Sequence, residues 1–372
     1  MKIERVDLIQ LHMPIKQSYE TSYGIIEHAE PLILKFYTED FTVFTECSAG
    51  SVRGFSYETM GTALEVLRQN IIPAVMGREI SDPLEFHQLC KGFRGHPMAK
   101  ASVENAFWIY KALEKKQSLA ELLGNQKDRL IAGAGIGIQS TPEALVKLVD
   151  QYLEEGYTKI KVKIKPGQDL KYVAAVRKSH PQIALMVDAN NAYSLDDIDT
   201  MKALDEFDLL MIEQPLAYDD IYYHAKLQSQ LKTPIGLDES INGPYFAQLA
   251  IELKACGCIN IKQCRVAGLA RAREIHDICA DAGIGVWCGG MLETGIGRAI
   301  LLALSGLPNF TYPMDIGASD KYFFQDIVEP EFKLNSDGTL SVPKAPGLGV
   351  EVNEEVLDRY TVAREVIRFR HK

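Results

Sequence analysis

Hydrophobic and polar residues follow two different patterns along this chain. From residue 130 onward, short apolar runs of strand length alternate with stretches of helical periodicity. The apolar runs lie at residues 131–137, 157–164, 183–188, 209–213, 235–238, 258–261 and 284–287. Seven consecutive strand–helix units, followed by an eighth strand near residues 312–316, predict an α/β fold. We expect a modified (β/α) barrel of TIM type with seven or eight strands, rather than an open sheet.

The first 125 residues follow another pattern, which is typical of a mixed α+β module. Two alternating runs, at residues 3–13 and 32–44, predict antiparallel strands, and helical stretches follow them. Residues 321–372 contain glycine turns but no strand–helix unit. We therefore expect an α+β capping domain at residues 1–125, a catalytic barrel at residues 126–320, and a C-terminal segment that returns to the capping domain.

The segment between the two predicted strands of the first module, residues 16–30, is predicted to be a loop. It contains Tyr19 and Ser22. Loops of this length inside compact domains are usually functional or disordered. The alternative for the whole module is a plain scaffold or dimerisation domain.

One barrel strand carries an unusual density of positive charge. Residues 159–165 alternate lysine with isoleucine or valine, which is the period-two pattern of a strand with two unlike faces. Four lysines therefore point to the same side. Parallel strands in barrels are covered on both faces, and buried lysines are costly unless anions lie opposite them. The pattern predicts that acidic residues face this strand.

Acidic residues at the ends of the next three strands meet that expectation. Counting from Lys163, Asp188, Glu213 and Asp238 follow at intervals of 25 residues, and Lys262 follows after a further 24. This interval is about one strand–helix unit, so the five side chains should lie at one height on the C-terminal rim, where barrels place their active sites. Strand-end acids often cap the next helix. Helix capping explains one or two of these acids, but not three that follow one another at the interval of one strand–helix unit.

Three converging carboxylates repel one another unless a cation lies among them. Ligation by carboxylate oxygen alone favours a hard divalent ion, Mg²⁺ or Mn²⁺. Lys163 and Lys262 would then stand on opposite sides of the metal, with Lys161 as electrostatic support for Lys163. This set suits removal of a proton next to the carboxylate of a small molecule, because such weakly acidic protons need strong electrostatic help.

Composition narrows the class of protein further. The 372 residues carry a formal net charge of -10, with a pI near 5.4, which gives no support to nucleic-acid or anionic-membrane binding. No apolar run reaches the roughly 18–20 residues that span a bilayer, and the first residues carry charges where a secretory signal would be apolar. Seven scattered cysteines indicate reduced thiols in a cytoplasmic protein.

The strand-end motifs resemble those of the muconate-lactonising subgroup of the enolase superfamily. The motifs are Lys161-x-Lys163, Asp188-Ala-Asn190, Glu213-Gln-Pro215, Asp238-Glu239-Ser240 and Asn260-Ile-Lys262. Residues 289–298, Gly-Gly-Met-Leu-Glu-Thr-Gly-Ile-Gly-Arg, resemble the branch that contains o-succinylbenzoate synthases and N-acylamino acid racemases. One departure stands out: relatives commonly carry Lys-Pro-Gly-Arg where this chain has Lys-Gln-Cys-Arg at residues 262–265.

The resemblance implies roles for these residues. Asp188, Glu213 and Asp238 would bind Mg²⁺, and Lys163 would take the proton α to the substrate carboxylate. Lys262 would stabilise the enolate or act as a second acid/base. The loop with Tyr19 and Ser22 would close over the substrate, and the pocket would be lined by Gly290, Met291 and Leu292. The superfamily also usually forms homo-oligomers.

Two activities fit this machinery, and the first of them is our leading hypothesis. The first is elimination of water from a succinylated hydroxycyclohexadiene carboxylate on the menaquinone route, which is the o-succinylbenzoate synthase reaction. The second is racemisation of N-succinylamino acids or other N-acylamino acids, and one protein can carry both. A barrel that serves only as a scaffold is the alternative from a different class, and the complete set of acids and lysines argues against it.

Overall fold

The computed structural model describes residues 1–50 and 54–369. Its largest sheet has seven parallel strands in chain order. They are Gly133–Ile136, Lys159–Lys163, Ala184–Asp188, Ile212–Glu213, Ile235–Leu237, Cys258–Asn260 and Gly285–Trp287. The helices after them are Pro142–Glu154, Leu170–Ser179, Ile198–Leu204, Tyr222–Gln228, Pro244–Glu252, Leu269–Asp281 and Gly295–Ser305. This alternation confirms the predicted barrel.

The eighth position of the barrel is occupied by an irregular segment rather than a regular strand. It runs parallel to the seventh strand through two isolated bridges, Val286 with Phe310 and Gly289 with Asp315. On its other side, the Met314 N–H donates to the carbonyl oxygen of Ile131 at 3.2 Å. Pro313 in this segment has no N–H to donate, which prevents a regular ladder.

A four-stranded antiparallel sheet forms the centre of the other part of the molecule. Its order is Thr361–Arg368, Arg5–Leu11, Leu32–Tyr37 and Thr42–Cys47, so the C-terminal strand pairs with the first strand. The predicted strand at residues 32–44 is in fact two strands. The polar turn between them is closed by a hydrogen bond of 3.1 Å from the Thr38 N–H to the carbonyl oxygen of Phe41.

Further helices and short strands lie outside the seven strand–helix units of the barrel and the four-stranded sheet. The helices are Met60–Val66, the π-helical turn Leu67–Ile71, Ile72–Val75, Pro83–Leu89, Pro97–Glu114, Leu119–Leu123, Ser319–Tyr322 and Glu354–Tyr360. The short antiparallel pairs are Arg129–Ile131 with Thr339–Ser341, and Val328–Glu329 with Glu351–Val352. Within the described ranges, no helix combines the length and apolar character needed to cross a membrane.

The predicted loop at residues 16–30 is a β-hairpin, so that prediction was wrong. Its strands are Met13–Thr21 and Gly24–Ala29, and their register is broken after Pro14. Most of the first strand is exposed or half-buried, so it has no one-sided apolar face and lacks the period-two signal by which strands are recognised. The hairpin lies against the barrel, where Glu20 accepts a backbone hydrogen bond of 2.9 Å from Ile138.

The part of the molecule around the four-stranded sheet is called the capping part below. Its buried residues Glu104 and Glu46 bind the N-termini of barrel helices. The helix Leu269–Asp281 begins after Gly268, which offers no side-chain cap. Glu104 supplies it, accepting hydrogen bonds from the N–H groups of Leu269 at 2.8 Å and Ala270 at 3.0 Å. A carboxylate suits this position because the first N–H groups of a helix lack partners within the helix. These contacts fix the cap on the rim of the barrel.

Glu46 makes the same kind of contact with the last barrel helix. One of its carboxylate oxygens accepts from the Thr294 N–H at 3.1 Å, the Thr294 hydroxyl at 2.7 Å and the Gly297 N–H at 3.0 Å. Burial, together with the neighbouring carboxylate of Glu293, raises the pKa of Glu46 to about 8. The folded protein therefore binds a proton here that the unfolded chain has already released near pH 5.

Replacing Glu46 by glutamine should remove a pH dependence of folding. Because the folded pKa of Glu46 is raised, its contribution is fully present below the unfolded value and is lost as the pH rises through about 8. Between about pH 5 and about pH 8.5, the free energy of unfolding should fall by at least ~1 kcal/mol more in the wild type than in Glu46→Gln. Denaturant unfolding at the two pH values measures this. The exposed Glu154→Gln is the matched control, and an equal pH slope in all three proteins would contradict the assignment.

Candidate active site

The lysine-rich strand places Lys161 among three acids. Its Nζ lies 3.1 Å from Oδ2 of Asp188 and 3.2 Å from Oε2 of Glu213, and it also contacts Oδ2 of Asp315. Burial alone would lower the pKa of Lys161, but Asp315, Glu213 and Asp188 together raise it well above its ordinary value. Lys161 is therefore a fixed positive charge at the centre of the barrel mouth.

Lys163 and Lys262 border the same cavity, which has an empty volume of about 720 Å³ including its open side. Lys163 Nζ lies 2.5 Å from Oδ2 of Asp188 and contacts Oδ1 of Asn190. Lys262 Nζ lies 2.8 Å from Oδ2 of Asp238 and 4.3 Å from the centroid of the Phe55 ring. The predicted phasing thus brings both lysines to one cleft at the C-terminal ends of the strands.

Asp315 pairs with Lys159 and is a charged residue of this cavity that sequence reasoning missed. Its Oδ1 lies 3.2 Å from Nζ of Lys159, whose side chain is only 1% exposed. Burial opposes ionisation of Asp315, but Lys159 and Lys161 hold its pKa well below the usual range. A signal was present in the sequence, because Asp315 follows Met314 near the end of the predicted eighth strand, as the other acids follow their strands.

The three phased carboxylates are in unequal electrostatic surroundings. Burial works against ionisation of Asp188, but Lys163 and Lys161 lower its pKa below the usual range. Asp238 is also lowered in pKa despite its burial, in this case by Arg265 and Lys262. Glu213 lies between them, and burial together with Asp188 raises its pKa well above the usual range. Glu213 therefore has too little positive charge around it to stabilise its ionised form.

The unusual Gln-Cys pair after the sixth strand lies between two cations that both contact Asp238. Arg265 contacts Oδ1 of Asp238, and Nε of Arg265 donates to the carbonyl oxygen of Ile241 at 2.8 Å. Gln263 accepts a hydrogen bond of 2.8 Å from Asn105 of the capping part, and Cys264 is buried. The Lys-Gln-Cys-Arg sequence therefore still directs its two cations at Asp238.

The predicted substrate-binding residues divide into two groups. Tyr19 and residues 290–292 line the cavity together with Lys163 and Lys262. Ser22 is not among the lining residues, and its hydroxyl donates to the carbonyl oxygen of Asn190 at 2.8 Å. Next to it, the Tyr23 hydroxyl donates to Oε1 of Glu239 at 2.7 Å. The tip of the hairpin is thus bound to the rim, and a contact of Ser22 with substrate stays a prediction.

The chemistry of the donors fits a hard divalent cation. Asp188, Glu213 and Asp238 are buried, belong to adjacent strand ends and offer only oxygen. Among residues 1–50 and 54–369, no group of three His, Cys, Asp or Glu side chains is already arranged to hold a metal ion. Lysines contact the three acids in this arrangement. The raised pKa of Glu213 is the observation that favours an additional cation here.

A barrel with acids and lysines on successive strand ends has the arrangement of an enzyme that stabilises negative charge on a small molecule bound at the rim. Residues 144–356 match the family model described as Enolase C-terminal domain-like. The chain belongs to the enolase superfamily, whose sites use a Lys or His base with one or two Mg²⁺ ions.

Similar proteins span the full chain. It is 44% identical to an o-succinylbenzoate synthase of Bacillus subtilis, over 98% of each chain. It is 40% identical to an N-succinylamino acid racemase of Thermus thermophilus, over 97% of this chain and 98% of the relative. Among solved structures, an enolase-superfamily member from Listeria innocua superposes with a TM-score of 0.95 at 40% identity, covering 99% of both chains.

Proposed function

We propose that this protein is a Mg²⁺-dependent o-succinylbenzoate synthase. The observation that carries the proposal is that Lys163 and Lys262 border one cavity, beside carboxylates from three successive strands. The name of the Bacillus subtilis relative supports the choice of reaction. The substrate would be a small carboxylate compound that carries a succinyl chain.

In the proposed reaction, Lys163 takes the proton α to the substrate carboxylate and then gives it to the hydroxyl group on the neighbouring carbon as the C–O bond breaks, so that water leaves. Lys161, held charged by its three acids, supplies fixed positive charge beside Lys163. Lys262 stabilises the developing enolate from the side of Asp238. Asp188, Glu213 and Asp238 would hold Mg²⁺, which when bound supplies positive charge to the substrate carboxylate.

Racemisation of N-succinylamino acids is the second candidate. It is favoured by the Thermus thermophilus relative, which matches almost as closely. In this reaction Lys163 and Lys262 would exchange the roles of base and acid. Assembly into a homo-oligomer and a cytoplasmic location stay predictions.

A steady-state comparison of the two reactions tests the proposal. With Mg²⁺ present, we expect kcat/KM of ~10⁴ M⁻¹s⁻¹ or more for dehydration of the succinylated hydroxycyclohexadiene carboxylate. Racemisation of several N-succinylamino acids should be slower. Racemisation without dehydration would replace the proposal by the second candidate. If neither reaction occurs in a folded protein, both assignments are wrong.

A further inference from the structure

Lys321 is a mostly enclosed cation that forms no ion pair with any of the described residues. It lies in the short helix Ser319–Tyr322, which follows the irregular segment that closes the barrel. Its Nζ donates a hydrogen bond of 3.1 Å to the carbonyl oxygen of Gly135. Of the residues that the structure describes, no Asp or Glu forms an ion pair with it. This distinguishes Lys321 from Lys159, Lys161 and Lys163, which all contact carboxylates.

Aromatic rings take the place of carboxylates around the Lys321 ammonium group. Its Nζ lies 4.7 Å from the ring centroid of Tyr152 and 4.4 Å from that of Tyr322. Such rings attract a cation without neutralising it. Burial lowers the pKa of Lys321 to about 8, and the charge of Asp315 offsets this only in part. An enclosed cation of this kind is stabilised when an anion binds beside it.

The cleft that contains Lys321 lies beneath the hairpin and adjoins the reaction cavity. Besides Lys321, it is lined by Tyr19, Gly135, Leu292 and Tyr322, and these four residues also line the cavity that contains Lys163 and Lys262. A ligand that reaches both places must be elongated. It must also carry two anionic groups. One would bind at the acid–lysine cluster, which is Lys163 and Lys262 with the proposed metal ligands Asp188, Glu213 and Asp238, and the other would bind Lys321.

We propose that Lys321 binds the second carboxylate of a dicarboxylate substrate, which is the terminal carboxylate of the succinyl chain. This assignment rests on the proposed function, in which the first carboxylate lies at the carboxylate triad. Both candidate reactions use succinylated compounds, so the subsite would serve either of them. Lys321 would thereby select succinyl over uncharged acyl groups of the same length.

Equilibrium binding of two product-like compounds tests this subsite without requiring turnover. One is o-succinylbenzoate, and the other is o-butanoylbenzoate, in which a methyl group replaces the terminal carboxylate. With Mg²⁺ present, calorimetry should show that the wild type binds the first ~10- to 100-fold more tightly, the range of a hydrogen bond to a charged group. Lys321→Met should bind both with nearly equal affinity, whereas Lys321→Arg should keep most of the preference.

Lys16→Met is the matched control. Lys16 is exposed and donates to the carbonyl oxygen of Asp320 at 2.7 Å, so it joins the hairpin to the same helix without lining the cleft. Its variant should keep the wild-type preference. Lys321→Gln provides a second neutral variant should Lys321→Met not fold. An unchanged affinity ratio in the neutral variants, or equal binding of both compounds by the wild type, would overturn the subsite alone. Binding of neither compound by the wild type would overturn the proposed function as well.

Discussion

Replacing Lys163 by alanine should reduce turnover by at least ~10³-fold, within the range that a positioned general base contributes. Lys163 borders the cavity, and its removal takes away the group proposed to accept the α-proton. The fold should persist because Lys161 remains 3.1 Å from Asp188 and still compensates its charge. Steady-state assays of dehydration and racemisation, together with circular dichroism of the variant, measure the effect.

Lys165→Ala is the matched control for this variant. Lys165 lies two residues further along the same strand direction, is 35% exposed and pairs with Glu20 of the hairpin. Its variant should retain most of the activity. Near-wild-type turnover by Lys163→Ala in the presence of Mg²⁺ would show that another group takes the proton. In that case the assignment of the base is wrong, although the barrel and its family remain.

The companion variant Lys262→Ala separates the two candidate reactions. Lys262 is held against Asp238 on the other side of the acid cluster from Lys163. In racemisation each lysine must exchange a proton with one face of the substrate, so the two alanine variants should be equally inactive. In dehydration only Lys163 removes the α-proton, so Lys163→Ala should be the more damaging change. Removal of the α-proton can be measured directly in each variant as the exchange of this proton with deuterated solvent.

The barrel and the acid–lysine cluster could be predicted because one period controls both. An interval of 25 residues from Lys163 to Asp188 and again to Glu213 is a strand–helix unit, and equal intervals place side chains at equal heights on successive strands. The structure pairs Lys163 with Asp188 directly across neighbouring strands. Regular geometry converts a spacing along the chain into a distance in space.

Features that depend on irregular backbone were not predictable in the same way. The hairpin has no buried face along most of its first strand, so its apolar residues carry no period. Asp315 belongs to a segment that closes the barrel through isolated bridges, where no interval fixes the height of a side chain. Lys321 lies beyond it in a four-residue helix. Its enclosure depends on the aromatic rings of Tyr152 and Tyr322, and Tyr152 is distant in the sequence.

Removal of divalent metal should abolish activity, and Mg²⁺ should restore it. The physical reason lies at Glu213, a fully buried carboxylate whose pKa burial and Asp188 raise well above its usual range. A bound cation offsets this repulsion, so binding also stabilises the folded protein. At a Mg²⁺ concentration of about 100 times Kd, the gain should be ~2.7 kcal/mol if the unfolded chain does not bind the ion.

Thermal unfolding with and without Mg²⁺ after treatment with EDTA therefore tests the metal site independently of turnover. Glu213→Gln should lose most of the Mg²⁺-dependent rise in Tm, because it removes a ligand charge from the buried triad. Glu293→Gln is the matched control, since Glu293 is a buried carboxylate that borders the same cavity but accepts its hydrogen bond from the Met291 N–H at 2.6 Å. It should keep the rise. Full activity after EDTA treatment, or an equal Mg²⁺ response in both variants, would contradict the assignment of Asp188, Glu213 and Asp238 as ligands.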